Sequence, residues 1–552
     1  MIGSCALALA AEARAHDHGK RRWASSLVTL AEGALLLPDL GSFHRSFPSV
    51  PASAQAWFDQ GLRLAYGFNH DEAARSFARG ATIEPSCTMC YWGVALTLGP
   101  NYNAPMLPDR ARVAWDALGR ARALAKEGAP VERALVEALG TRYAGPQATS
   151  PADRLPYDEA YGEAMAEVAR RYPADADVQV LYAEALMDVH PWKLWSLDGV
   201  AAPGTDELVR AIEAALRLAP DHPGANHYLL HALEASPHPE RAEAAADKLP
   251  SLMPGAGHVA HMPAHIYQRT GRYADASAAN LRAIAADEAY LARTRPPGYY
   301  GMYLGHNFGF LAYSSSMIGR SAESISAAKR AVQAVPLHML DMMPGMDFFA
   351  GETTLARVRF GRWRELLDEP APPRRYVVLT ALHLHGRGMA LASLGRLPEA
   401  GRAADALDAL TARYPAALGA GSGVNTARQI AAVASAAVRG RIAERRGAPD
   451  EAIARYAAAV ALEDQLAYNE PADWFYPLRH LLGAALLDAD RAAEAEAVYA
   501  EDLRRNPGNG WALFGRARAL EKLGRASDAA KVRAEFDRAW SGADITLERS
   551  AF

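Results

Sequence analysis

The chain has 552 residues, of which 50% are hydrophobic and 22% are charged, and its formal net charge is −4. This composition allows a large apolar core and shows no basic field of the kind that binds nucleic acid. Three cysteines are too few for a disulfide-built scaffold. No apolar run reaches the roughly 18–20 residues that cross a bilayer. We therefore expect a folded protein with no nucleic-acid partner and no membrane span.

Residues 1–50 predict a lead-in segment that precedes the repeats. They contain two apolar stretches, separated by a basic run at residues 20–22. In a secretory signal the basic residues come before the apolar stretch, whereas here they follow the first one. The second stretch, residues 27–40, contains Glu32, so a poor signal stays the alternative to a first helix. We expect a cytoplasmic protein, with a periplasmic or secreted location as the alternative.

A helical-hairpin pattern begins after residue 50. Small residues, one aromatic residue and a closing proline first occur at Gly61, Ala73, Phe77, Gly80 and Pro85. In such a hairpin the small residues lie where two helices cross closely, the aromatic residue fills the space beside them, and the proline ends the second helix. The pattern returns along the chain, and its turns carry the segments GRYADA, GRLPEA, GAPDEA and GRASDA. This periodicity predicts a chain of helical hairpins.

The regular spacing is interrupted between residues 107 and 220, although helical periodicity continues. Helical patterns cover residues 109–126, 131–143, 157–172, 177–189 and 206–218. A long tryptophan-rich insertion, HPWKLWSLDGVAAPGT, precedes the last of these patterns. Connections of this length in a compact array are functional or disordered, and Trp192 and Trp195 favour an ordered segment because large aromatic side chains must bury their area. We expect this insertion to fold over the histidine-rich stretch that follows it.

The strongest functional pattern is a repeated pair of histidines. His227 and His231 lie four positions apart, so they share one face of a predicted helix, and His261 and His265 have the same spacing. The second pair follows the first by 34 positions. About 34 residues is the period of a tetratricopeptide repeat, in which equivalent positions of neighbouring repeats lie side by side. We therefore predict that the four imidazoles meet around one centre.

Further residues join this cluster through their register in the repeats. Glu234 and His258 lie one helical turn from the pairs. Aligning the next repeat on its turn glycine places His306 in register with His258, and Tyr313 in register with His265. The predicted metal ligands are His227, His231, His258, His261, His265 and His306, and the predicted catalytic residues are Glu234 and Tyr313.

A site made of imidazoles with one carboxylate suits zinc, copper, iron or nickel and disfavours calcium and magnesium. Six histidines are enough to hold two ions. Redox chemistry fits nitrogen ligands with tyrosines nearby, whereas hydrolysis would use a metal-bound water with Glu234 as general base. We predict a metal-dependent oxidoreductase acting on a small molecule, with a metallohydrolase as second choice. The alternative from a different class is a non-enzymatic scaffold that binds a peptide or protein partner in its groove.

Two further motifs have structural interpretations. Cys87 and Cys90 form a CxxC motif, which can be a redox pair or half of a zinc site. The chain has no second CxxC, and the motif opens a predicted helix where small residues pack, so we expect a packing role and leave a redox role open. His70 lies in the turn between the first two helices, and we expect it to cap or hydrogen-bond locally.

The repeat pattern resembles that of tetratricopeptide repeat proteins from Ala54 to Trp540. The segments FNHDEAARSF, CTMCYWGVALTLGPNYN, GANHYLLHALEASPHPERA and GHVAHMPAHIYQRTGRY also resemble a bacterial family of long repeat proteins. The resemblance implies an all-α, right-handed solenoid without a β-sheet, whose first helices line a concave groove, and it implies no reaction. The predicted parts are a lead-in at 1–50, a first hairpin and loop at 51–106, irregular repeats at 107–220, histidine-rich repeats at 221–336 and C-terminal repeats at 337–552.

Overall fold

Most of the described chain, roughly two-thirds of it, is helical. The computed structural model describes residues 26–294, 296, 300–334, 340 and 344–552. Within these residues the strands are the two-residue β1 (Gly419–Ala420) and β2 (Asn425–Thr426), which pair antiparallel. The all-α prediction is confirmed, and the expectation of no sheet fails at this short hairpin. Much of the predicted lead-in, residues 1–25, lies outside the described residues.

The chain divides into two compact units. Among the described residues, the N-terminal unit holds those up to 266 together with those from 282 to 300, and the C-terminal unit holds those from 267 to 281 and from 301 to 552. The finer division into five parts stays a prediction. None of the helices in the described part of the chain is long and apolar enough to cross a membrane.

From α2 to α12 each helix packs against the next one along the chain. The helices in this part are α1 (Leu27–Ala31), α2 (Ala52–Tyr66), α3 (His70–Ile83), α4 (Thr88–Leu98), α5 (Pro108–Ala125), α6 (Pro130–Thr141), α7 (Leu155–Arg171), α8 (Ala176–Met187), α9 (Thr205–Leu218), α10 (Pro223–Leu233), α11 (Glu243–Leu252), α12 (Gly257–His261), α13 (Pro263–Arg269) and α14 (Tyr273–Thr294). Short 3-10 turns lie at Pro151–Asp153 and Pro239–Ala242.

From α16 to α26 each helix again packs against its successor. These helices are α15 (Tyr300–Met317), α16 (Ser321–Ala334), α17 (Glu352–Arg359), α18 (Trp363–Asp368), α19 (Val377–Ser393), α20 (Leu397–Arg413), α21 (Ala427–Arg445), α22 (Pro449–Glu463), α23 (Arg479–Asp488), α24 (Ala492–Arg505), α25 (Gly510–Lys522) and α26 (Ala526–Ala539). A 3-10 turn at Met346–Gly351 precedes α17.

The first hairpin packs as its spacing predicts. Phe77 on α3 is fully buried, and a Cβ added at Gly61 on α2 would lie 2.7 Å from the Phe77 ring. The missing side chain at Gly61 therefore lets α2 and α3 approach closely, with the aromatic ring filling the space between them.

The four turn motifs end their helices as predicted. The glycines that follow α13, α19, α21 and α25 all have a left-handed backbone conformation, with φ of 84° at Gly271, 79° at Gly395, 78° at Gly447 and 70° at Gly524. A residue in this conformation just after a helix satisfies the last carbonyl groups, and glycine adopts it without the penalty of a Cβ. The repeated motif is thus a repeated helix stop.

The irregular part is helical within a few residues of the predicted limits, from α5 to α9. The tryptophan-rich insertion connects α8 to α9 and is internally hydrogen-bonded, since the backbone N–H of Ala202 donates to Leu194 O over 2.9 Å. The indole N–H of Trp195 donates to Ala232 O on α10 over 2.7 Å. The prediction of an ordered insertion is therefore confirmed.

Cys87 and Cys90 open α4 and are joined by a disulfide bond. Both side chains are fully buried, and a Cβ added at Gly80 on α3 would lie 2.9 Å from the sulfur of Cys90. The burial agrees with the expected packing role, because the pair fills the contact between α3 and α4.

Candidate metal centre

Three histidines of the N-terminal unit place one ring nitrogen each in a small space. His227 and His231 lie on α10, and His258 lies on α12. Nε2 of His258 is 3.2 Å from Nε2 of His227 and 3.4 Å from Nε2 of His231. All three side chains are buried, and each offers a ligand atom within 4.8 Å of the others. We refer to these three residues as the triad.

Two of the nitrogen spacings in the triad match those around a single ion. Bonds of about 2.0–2.1 Å at tetrahedral angles separate two ligand nitrogens by about 3.3 Å. The two spacings to Nε2 of His258 are 3.2 and 3.4 Å. These two spacings are therefore those of neighbouring ligands around one tetrahedral ion.

Contacts on the other side of the rings determine which nitrogen carries the proton. Nδ1 of His227 is 2.6 Å from the backbone carbonyl of Tyr66, and Nδ1 of His231 is 3.2 Å from Oε1 of Glu234. Carbonyl and carboxylate oxygens only accept, so each neutral imidazole donates its Nδ1–H there and keeps a lone pair on Nε2. This is the tautomer in which metal-binding histidines are held by their outer contacts.

Glu234 directly follows α10 and links the two histidine pairs. Its Oε1 contacts Nδ1 of His231, and its Oε2 lies 2.9 Å from Nδ1 of His265. Burial would by itself raise the pKa of Glu234, but the two histidines lower it below its ordinary value, so the carboxylate is ionised. The sequence suggests a general base, whereas these contacts support a carboxylate that orients two imidazoles.

Burial favours the neutral form of three imidazoles in this cluster. It lowers the pKa of His227 and of His258 well below the ordinary value, and neighbouring histidines act in the same direction. Burial also lowers the pKa of His265, although the charge of Glu234 partly opposes it. Neutral imidazole is the form that binds a metal ion.

His261 and His265 lie beside the triad. The ring centroids of His231 and His265 are 6.4 Å apart, and those of His258 and His261 are 6.3 Å apart. Nε2 of His261 is 2.7 Å from Nε2 of His265. The two pairs lie beside each other, and it is His258 that completes the triad with the first pair. That all four imidazoles meet around one centre stays a prediction.

His306 and Tyr313 lie on α15 in the C-terminal unit. His306 is partly buried with its ring 5.8 Å from Phe310, and the buried ring of Tyr313 is 6.0 Å from Phe475. Burial raises the pKa of Tyr313, and the charge of Asp502 adds to the shift. The predicted ligand role of His306 and catalytic role of Tyr313 stay predictions.

Two aromatic residues with unusual backbone conformation pack against the triad. The ring of Phe68 lies 4.7 Å from His227, 5.2 Å from His231 and 5.8 Å from His258. Trp192 of the insertion lies 5.9 Å from His231, as the predicted position of the insertion requires. Their φ angles are 57° and 62°, which is costly for residues with a side chain and often marks functional sites. Sequence reasoning missed Phe68, whose only signal is its place in the turn after α2.

The contact between His227 and the carbonyl of Tyr66 depends on how closely α10 approaches α2. Gly224 is in the first turn of α10, and a Cβ there would lie 2.7 Å from the ring of Tyr66. Its missing side chain lets the two helices come together. No sequence pattern marks a backbone carbonyl as a partner of the site.

His70 does not cap α3, contrary to its predicted role. The cap is Asn69, whose side chain accepts from the backbone N–H of Glu72. The ring of His70 stacks on Phe68 at 5.5 Å, and both its nitrogens are buried without a hydrogen-bond partner in the described residues. Burial lowers the pKa of His70 to about 3, with Arg110 and Arg142 acting in the same direction.

Comparisons with known proteins identify no family. No protein-family model matches the chain, and no curated protein matches its sequence. A solved structure of a human IFIT1 dimer with m7Gppp-AAAA is 13% identical, with 93% of this chain and 94% of that chain covered and a TM-score of 0.33. A monomeric IFIT1 mutant with Gppp-AAAA is 14% identical, with 88% and 90% covered and a TM-score of 0.30.

TM-scores of this size do not establish a shared fold, so the assignment to the helical class rests on the helices of this chain. The resemblance to a bacterial repeat family stays a prediction. So does the absence of a nucleic-acid partner.

Proposed function

We propose that this protein is a metal-dependent enzyme in which His227, His231 and His258 bind a transition metal ion. One observation carries the proposal: Nε2 of His258 lies at ligand spacing from Nε2 of His227 and of His231, and outer contacts keep the lone pairs of those two available. Three protein ligands leave a position for water or substrate, which is the arrangement of catalytic sites.

The donor set fits zinc, copper and iron. Neutral nitrogen ligands suit these ions, whereas calcium and magnesium prefer oxygen. The surroundings fit as well, because Phe68 covers the imidazoles and Glu234 orients two of them. His261 and His265 lie close enough to the triad to help bind a second ion. The proposal does not require that second ion.

Among reactions, we favour the oxidation or reduction of a small molecule. A bound copper or iron ion supplies electron exchange, whereas zinc supplies an activated water for hydrolysis. Hydrolysis also needs a general base within reach of that water. Glu234 was the candidate, but each of its oxygens contacts an imidazole Nδ1. That arrangement supports redox chemistry over hydrolysis.

Metal analysis of the purified protein tests the proposal. We expect one equivalent of copper or iron in the wild type, or after incubation with the ion, and its loss in His258→Ala with unchanged helical content by circular dichroism. His238→Ala is the matched control, because His238 is exposed and lies outside the triad. Ascorbate and ferricyanide should change the oxidation state of the bound metal reversibly.

A wild-type protein that stays metal-free after incubation with zinc, copper and iron would end the proposal. The scaffold alternative, with a peptide or protein partner, would then be favoured. Binding of zinc alone would keep a metal site and replace the redox reaction by hydrolysis.

A further inference from the structure

A small cavity in the C-terminal unit lies between α17, α21 and α23. Its volume is about 20 Å³, which is room for a single occupant the size of a water molecule. Arg359, Arg441, His480 and Tyr476 line it together with apolar side chains, and none of the described lining side chains is acidic. A space with cationic and apolar walls is a suitable environment for a weakly hydrated anion.

Arg359 is a buried cation that has no anionic contact within the described part of the chain. It is 4% exposed, and its Nη1 donates to Nδ1 of His480 over 2.8 Å. Because Nδ1 of His480 accepts, its Nε2–H donates to Oδ2 of Asp502 over 2.9 Å, and the imidazole is neutral. The other contacts of the guanidinium are the ring of Trp511 at 3.9 Å and the sulfur of Met317 at 3.9 Å. Asp502 therefore compensates this charge only through an imidazole.

Arg441 brings a second buried cation to the same cavity. It is 3% exposed, its Nη2 donates to the backbone oxygen of Phe552, and its Nη1 is 3.4 Å from Glu444. The Nε atoms of both Arg359 and Arg441 are buried and have no hydrogen-bond partner in the described residues. Buried charges and buried N–H groups without partners each cost free energy. The cavity therefore favours an anionic occupant that accepts hydrogen bonds from these N–H groups.

We propose that this cavity binds one monatomic anion, a halide such as chloride, between Arg359 and Arg441. A halide ion fits the volume of the cavity and accepts hydrogen bonds from N–H groups in several directions. The apolar side of the cavity replaces water, and the two guanidinium groups supply the compensating charge. This proposal is independent of the triad and its metal.

Bromide tests the site directly, because its anomalous scattering distinguishes it from water. In crystals grown in sodium bromide we expect an anomalous peak between the two guanidinium groups of the wild type and none in Arg359→Met. Arg516→Met is the control, since Arg516 is half-buried in a pair with Glu496 and does not line the cavity, and its crystals should keep the peak. A cavity that holds only water, without an anomalous peak in the wild type, would overturn the proposal.

Thermal melts test the site in solution. At equal ionic strength, the melting temperature of the wild type and of Arg516→Met should rise with sodium chloride relative to sodium gluconate. The rise should be on the order of 3 °C for each tenfold increase above the dissociation constant. Arg359→Met should give equal melting temperatures in both salts, and Arg441→Met replaces it if that variant does not fold. Equal melting temperatures of the wild type in both salts would contradict halide binding.

Discussion

Glu234 shows how much of the candidate centre depends on one side chain outside the triad. Replacing it by glutamine keeps its size but removes the charge and one of the two acceptor oxygens. His231 or His265 then loses its outer contact and is free to turn. Because losing such a contact costs about 10–100-fold in metal affinity, we expect a fall of that size in Glu234→Gln. Competition with a chromophoric chelator measures it.

The matched control is Glu240→Gln. Glu240 is exposed and lies 3.2 Å from the exposed His238, so the same chemical change occurs at a histidine outside the centre. We expect unchanged metal affinity in this variant. Equal affinities of Glu234→Gln and the wild type would contradict the orienting role.

His70 gives a prediction for the pH dependence of stability. Its pKa is about 3 in the folded protein and 6.5 in the unfolded chain, so between these values only the unfolded chain binds the proton. Stability is therefore lost as the pH falls below about 6.5. Between about pH 7 and about pH 5, the free energy of unfolding of the wild type should fall by about 2 kcal/mol more than that of His70→Leu.

Urea unfolding at the two pH values measures this difference. Leucine leaves no buried nitrogen without a partner, so His70→Leu should also be at least as stable as the wild type at neutral pH. His238→Leu, at an exposed position, should lose as much stability as the wild type on acidification. Parallel pH profiles for His70→Leu and the wild type would show that His70 does not contribute.

At the scale of helices, the close approach of α10 to α2 decides whether His227 reaches the Tyr66 carbonyl. In Gly224→Ala the new Cβ would lie 2.7 Å from the Tyr66 ring and 3.1 Å from Val180. Overpacking of this kind costs about 1–3 kcal/mol. We expect a loss of stability in that range together with weaker metal binding, because α10 must move away from α2. Urea unfolding and metal titration measure the two effects.

Gly119→Ala is the same change where space is open. Gly119 lies within α5, and a Cβ there would meet nothing within 4 Å. Alanine is a better helix former than glycine, so this variant should gain about 0.5–1 kcal/mol and bind metal normally. If Gly224→Ala were as stable as Gly119→Ala, the close approach would not limit the position of α10.

At the scale of the whole molecule, the two units should respond differently to the metal. The triad lies entirely in the N-terminal unit, so a metal that binds only the folded protein stabilises that unit by about 2.7 kcal/mol at a free concentration of 100 times its dissociation constant. On chelation we expect faster hydrogen exchange in α10 and α12 and unchanged exchange in α21 and α25. Mass spectrometry of the corresponding peptides measures both, and equal acceleration in all four helices would contradict the assignment.

The local sequence pattern was sufficient to predict the helices and the positions at which they end. Each turn motif contains a glycine that adopts the left-handed conformation and so ends the helix before it. These glycines are Gly271, Gly395, Gly447 and Gly524. The repeat offset likewise brought the two histidine pairs together, since equivalent positions of adjacent hairpins are neighbours. The aromatic composition of the insertion similarly indicated that Trp192 and Trp195 would pack against other parts of the chain, and both are half-buried.

Only the tertiary structure decided which groups the histidines face. His258 completes the triad, Phe68 covers it, and Glu234 orients two imidazoles, because α2, α10 and α12 pack at distances that no spacing along the chain encodes. The sequence by itself determined the helical class, the turns and the pairing of the histidines. The hydrogen-bond partners of ring nitrogens such as Nδ1 of His227 come from a distant part of the chain. Which partner comes within reach depends on how closely the helices pack, and this is set by side-chain volumes at their crossings, such as the missing Cβ of Gly224.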